Sequence, residues 1–144
     1  MNCIEKIEWD PKYSVDAEEI DVHQKKLFGL FNRLIDMKDT EKNPKKIINV
    51  ISDLNEYSKI YFCAEERYLE KKGYPDFGEH AKAHRRFTKR FIILRKKVSA
   101  DIDNLKDVIS ELRGGLMNHI LTMDSQYLPF LRIKKFIEKT AHKN

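Results

Sequence analysis

Several features that would direct a reading elsewhere are scarce or missing in this chain of 144 residues. It has two cysteines, Cys3 and Cys63, too few and too far apart to form a disulfide framework, so a reduced, cytoplasmic setting is expected. No apolar run reaches the ~18 residues needed to span a membrane. The opening MNCIEKIEWD lacks a basic segment followed by an apolar one, so no secretory signal is expected. There is no internal repeat, no low-complexity linker and no convincing strand alternation. The few prolines and glycines act as punctuation: Pro44, Gly73, Pro75 and Pro129 mark ends of helical pattern.

What is present is helical. Hydrophobic residues make up 41% and charged residues 35%, the balance of a globular chain with one sizeable core. An extended arm over residues 1–16, carrying Trp9, Pro11, Tyr13 and Val15, precedes the first pattern. Ile20, Gln24, Leu27, Phe28, Phe31 and Ile35 recur at helical spacing and predict a helix over about 17–37. Asn43-Pro44 is a cap followed by a first-turn proline, starting a second helix that runs to about Lys72. Further helices are expected over about 77–98 and 103–121, with a short amphipathic tail helix over about 130–139 beyond Pro129. Four long helices joined by short loops predict an all-α, antiparallel up-down-up-down four-helix bundle, one domain spanning residues 1–144.

The net charge is +5, and basic residues crowd the third helix from Lys82 to Lys97. Phe87, Phe91, Leu94 and Val98 continue the inner face begun by His80 and His84, leaving the basic side chains mostly opposite. They read as a solvated outer face rather than a nucleic-acid surface.

The inner faces carry an unusual set of side chains. His80 and His84, four apart, stack on one side of the third helix, and Tyr61 and Glu65 do the same on the second. The fourth helix adds His119, with Asp124 five residues later, near or past its end. Three imidazoles and two carboxylates facing a dry core demand a compensating centre. This donor set suits iron, manganese, zinc or copper rather than calcium or magnesium. Five donors exceed what a closed structural zinc site uses, and two carboxylates able to bridge point to a dinuclear centre.

These segments carry a resemblance. FCAEERYL, GYPDFGEHAKAH and HILTMD, with Trp9 and YSVDAEEID before them and MDSQY after, are similar in type and spacing to hemerythrin-like proteins of the bacterial single-domain type. The resemblance covers nearly the whole chain. It implies a four-helix bundle with a non-haem di-iron centre that binds O₂. It implies His80, His84 and His119 on one iron, Glu65 and Asp124 as bridging carboxylates, and Leu27 and Leu116 lining the ligand pocket. Two ions are expected, with one as the alternative, and zinc or manganese is compatible with the donors.

The departures from the family pattern lie at the other iron. Gln24 and Tyr61 stand where histidines are usual, and His23 is rotated about 100° from the inner stripe. Gly115 replaces a tryptophan, which implies space beside the site. Three arrangements are open at that position: ligation by Tyr61 with Gln24, a single-ion site, or His23 swung inward. A phenolate ligand favours ferric iron and works against reversible O₂ carriage. The expected function is therefore a metalloprotein that senses, stores or scavenges O₂, NO or peroxide, the alternative being a small oxidoreductase acting on peroxide or NO. Cys63, about 200° round the helix from Tyr61, is expected to pack rather than ligate.

Overall fold

The computed structural model describes residues 4–142, so Cys3 and the first residues of the arm lie outside the described part. It is all-helical among those residues. Helix α1 spans Glu18–Thr40, α2 Pro44–Lys72, α3 Phe77–Ala100, α4 Leu105–Asn118 and α5 Ser125–His142. A π-helical turn, His119–Asp124, joins α4 to α5. Helix α1 packs on α2, α2 on α3, α3 on α4 and α4 back on α1, closing the ring of an up-down-up-down bundle.

Local chemistry sets the helix limits. Asn43 accepts a hydrogen bond from the Lys45 N–H while Pro44 opens α2. Gly73, at φ 72°, turns the chain left-handed to end it, a conformation that glycine adopts without Cβ strain. Helix α1 begins under Asp21, whose carboxylate accepts from the Ser14 hydroxyl and the Val15 N–H.

The arm is tied down rather than free. Asn32 on α1 accepts from the Ile7 N–H and donates to the Ile7 carbonyl, standing in for a strand partner. Ile7 and Val15 are buried, and a short 3₁₀ turn, Pro11–Tyr13, places Tyr13 edge-on against Phe28.

The C-terminal third departs from the sequence expectation. The fourth helix, expected over 103–121, begins after a 3₁₀ turn at Ile102–Asn104 and passes into the π turn. Pro129, expected to break the chain before a tail helix over 130–139, instead lies inside α5. It sits just behind the widened turn, where the α ladder is only being re-established and a missing N–H costs least.

The core draws on apolar residues of all four bundle helices. Ile20, Leu27, Phe28 and Phe31 of α1, Ile51, Leu54 and Leu69 of α2, Phe91, Leu94 and Val98 of α3, and Ile109, Leu112 and Leu116 of α4 are all buried. Of the basic run on α3, Lys82, Arg85, Arg86, Lys89, Lys96 and Lys97 are exposed, and Arg90 forms a two-point ion pair with Glu111. No helix among the described residues is long and apolar enough to cross a membrane.

Candidate metal centre

Glu65, His80, His84, His119 and Asp124 meet inside the bundle, each offering one donor atom, with all five atoms within 4.8 Å of one another. All five residues are buried. Glu65 Oε1 lies 2.7 Å from His80 Nε2, 2.7 Å from His84 Nε2 and 3.4 Å from His119 Nε2. Asp124 Oδ1 lies 2.9 Å from His119 Nε2 and 3.2 Å from His80 Nε2. His84 and His119 bring their Nε2 atoms within 3.1 Å of each other.

The π turn is what brings Asp124 in. On an α-helix, residues five apart lie about 140° round from one another. The π turn carries i→i+5 bonds, so His119 and Asp124 fall nearly one above the other and face the same point. The α-helical period could place His119 but left Asp124 beside or beyond the helix end.

The donor chemistry fits a cation. Two imidazole nitrogens 3.1 Å apart share at most one proton along their line. Asp124 Oδ1 is buried with no aligned hydrogen-bond donor, although two imidazoles stand at ion-pair distance. A buried carboxylate oxygen left this way needs positive charge beside it. Three Nε2 atoms and two carboxylate oxygens around one point supply the nitrogen and oxygen donors of a transition-metal site.

Without a metal, protons supply that charge. Burial alone would lower the His80 pKa, but Asp124 and Glu65 outweigh it and raise it to about 9. For His119 burial again lowers, and Asp124 followed by Glu65 prevails, to about 10. Burial pushes Glu65 up, but its contacts with His119, His80 and His84 hold it well below the usual carboxylate range. Asp124 is raised, by burial first and by the Glu65 charge second.

The surrounding side chains orient these donors. Glu66 Oε2 lies 3.1 Å from His84 Nδ1, fixing the far side of that ring. Phe62 stacks on the His84 ring with centroids 4.1 Å apart. Tyr127 donates to Glu65 Oε2 across 2.9 Å. Sequence reasoning did not single out Tyr127 because it placed a break rather than a continuous helix behind Asp124.

The second position holds oxygen atoms of a different kind. Tyr61 donates to Asp124 Oδ2 at 2.6 Å and lies 3.3 Å from Glu65 Oε2. Burial first, and then Asp124 and Glu65, raise its pKa well above the ordinary phenol value, so in the metal-free protein the hydroxyl keeps its proton. Gln24 is buried beside it, but its carbonyl accepts from Trp9 Nε1 at 2.6 Å. Its amide reaches the Tyr13 carbonyl at 3.2 Å and the Tyr61 hydroxyl at 3.5 Å. His23 lies half-buried on the flank with Nδ1 2.9 Å from the Tyr57 hydroxyl, outside the five-donor cluster.

Two surroundings differ from expectation. Gly115 does not leave open space: a Cβ there would stand 3.3 Å from Phe87 Cε2, because the Phe87 ring lies against it. Phe87 in turn meets Phe62 edge-on. Cys63 does not pack but is exposed, since its face of α2 is the outer one. Leu27 and Leu116 are fully buried.

Comparison with known proteins places this geometry. Residues 15–131 match the family model described as the hemerythrin HHE cation binding domain. The chain is 32% identical over 112 residues to a bacteriohemerythrin of Methylococcus capsulatus, covering 77% of this chain and 85% of that one. It is 26% identical over 125 residues to a bacteriohemerythrin of Clostridium acetobutylicum, covering 83% of this chain and 97% of the relative. A myohemerythrin of Theromyzon tessulatum is 28% identical over 123 residues, covering 85% and 92%. A solved hemerythrin structure, a leucine-to-alanine variant, superposes with a TM-score of 0.76 at 27% identity, covering 88% of this chain and 97% of that one. The chain belongs to the hemerythrin family.

Proposed function

We propose that the chain forms one hemerythrin-like domain in which Glu65, His80, His84, His119 and Asp124 hold non-haem iron, and that it binds O₂ or a related small ligand, NO or peroxide. The observation that carries this reading is the convergence of five buried donor atoms within 4.8 Å. The bacteriohemerythrin and myohemerythrin relatives support iron over manganese or zinc, which the donor set alone would also accept. Sensing, storage or scavenging in the cytoplasm fits better than reversible oxygen carriage.

Iron, when bound, supplies the redox chemistry and the Lewis acidity that a diatomic or peroxide ligand requires. The protein's own part is structural and electrostatic. His80 and His84 come from one face of α3, so their spacing is set by a single helix. Glu66 holds His84 with Nε2 turned inward. Phe62 covers the His84 ring, and Leu27 and Leu116 are fully buried. Tyr61 places a hydroxyl against Asp124 where the family pattern expects another imidazole.

That last feature argues against a carrier. Tyr61 and Gln24, each hydrogen-bonded to other groups, stand where the family pattern places two further imidazoles, so the ligand set expected of a reversible carrier is incomplete. The test is a visible spectrum of anaerobically iron-loaded protein before and after exposure to O₂, NO and peroxide, with turnover followed for each. The reading predicts a spectral change with at least one of them. No change with any of the three, in protein that holds iron, would refute it. Sustained turnover of peroxide or NO would identify an oxidoreductase instead.

A further inference from the structure

We infer that this centre is built for a single metal ion, because the Tyr61 hydroxyl closes the place beside it where a second would sit. The inference rests on the proposal that the five-donor cluster holds a metal, and goes beyond it by fixing the number of ions.

Each carboxylate has two oxygens, and the structure divides their work. The inner oxygens, Glu65 Oε1 and Asp124 Oδ1, face the three imidazole Nε2 atoms at 2.7–3.4 Å. The outer oxygens, Glu65 Oε2 and Asp124 Oδ2, face the other way, and a second cation bridged by these carboxylates would bind there. That point already has an occupant. The Tyr61 hydroxyl is 2.6 Å from Asp124 Oδ2 and 3.3 Å from Glu65 Oε2. Tyr127 donates to the same Glu65 oxygen at 2.9 Å. Both outer oxygens therefore carry hydrogen bonds from neutral phenols, whereas Asp124 Oδ1, on the inner side, carries none.

Among the described residues, the polar side chains of α1 nearest that side are already engaged. The carbonyl of the buried Gln24 on α1 is taken by Trp9 Nε1 at 2.6 Å. Turning it would break the part-buried indole-to-amide bond and the amide's contact with the Tyr13 carbonyl. His23, which could supply an imidazole, is engaged with Tyr57 on the helix flank. Charge agrees with the geometry. One divalent ion balances Glu65 and Asp124 when the imidazoles are neutral, and a second would need further negative charge on the Tyr61 side, where the groups that face the carboxylates are hydroxyls. Tyr61 is thus a positioning residue that holds Asp124 through its outer oxygen.

The test is metal content. Purified protein is stripped, loaded anaerobically with excess ferrous salt, desalted and assayed for iron per chain, with the visible spectrum recorded after air exposure. The expected result is one iron per chain with no phenolate-to-iron charge-transfer band, in the native chain and in Tyr61→Phe alike. The double variant Tyr61→His with Gln24→His should rise to two. Two irons in the native chain, or a charge-transfer band that Tyr61→Phe abolishes, would overturn the inference while leaving the metal centre intact. A double variant that folds, by circular dichroism, and still takes one iron would show that Tyr61 is not what closes the place. No uptake at all by the native chain would instead remove the metal centre itself, and this inference with it.

Discussion

The Tyr61 hydroxyl donates to Asp124 Oδ2 across 2.6 Å, joining α2 to the π turn over 63 positions of sequence. Both groups are fully buried, so the bond has no water to replace it. Tyr61→Phe preserves ring packing and leaves the Asp124 oxygen without its donor. The metal-free protein should lose about 1–3 kcal/mol, the range for stranding a buried polar partner. Denaturant unfolding of metal-free native and variant protein measures it, and equal midpoints would contradict the role given to this bond.

The far side of His84 is held by Glu66, whose Oε2 lies 3.1 Å from Nδ1. Glu66 is only partly buried and does not reach the donor cluster, so its effect is through the ring it orients. Glu66→Gln is expected to weaken metal affinity by roughly 10–100-fold, as loss of such outer contacts does elsewhere, with little change in fold. Competition against a chelator of known affinity reads the change.

The pH dependence has a fixed sign. In the metal-free protein His80 is raised to about 9 and His119 to about 10, the carboxylates Asp124 and Glu65 overcoming the effect of burial. A raised histidine contributes stability that is complete below its ordinary value of about 6.5 and is lost as pH climbs through the folded value. Metal-free protein should therefore become less stable from neutral pH toward pH 10. Metal binding needs the same imidazoles without their protons, so affinity should rise over that interval. Paired denaturation and metal-competition series across this range check the opposite slopes, and parallel slopes would contradict the assignment.

The arm contributes to the site through one bond. Trp9 Nε1 donates to the buried Gln24 carbonyl, and Lys25 lies over the indole ring at 4.2 Å. Trp9→Phe retains an aromatic anchor and strands the Gln24 oxygen. A loss of about 1–3 kcal/mol is expected, measurable by thermal or denaturant unfolding. Wild-type stability in this variant would mean that Gln24 finds another donor.

Much of the bundle could be read from the sequence because its signals are local. Asn43-Pro44 and Gly73 mark the ends of α2 by capping chemistry that depends on a few neighbouring residues. His80 and His84 share a face by the α-helical period alone. What could not be read depends on breaking that period. Asp124 reaches His119 only because the helix widens to π spacing, and nothing in HILTMD announces the widening. The same change of ladder lets Pro129 sit inside α5, so Tyr127 reaches Glu65 from a helix expected to be interrupted. Gly115 misled in another way: a missing side chain marks room, but only the packed structure shows that Phe87 fills it. The exposure of Cys63 was likewise decided by which side of α2 the other helices cover.

The most direct test of the metal centre is a crystal structure of the iron-loaded protein with anomalous diffraction recorded above and below the iron edge. The account predicts one anomalous peak, within bonding distance of His80 Nε2, His84 Nε2 and His119 Nε2, and no peak between Glu65 Oε2, Asp124 Oδ2 and the Tyr61 hydroxyl. Absence of any peak among the three imidazoles, in crystals that contain iron, would contradict it.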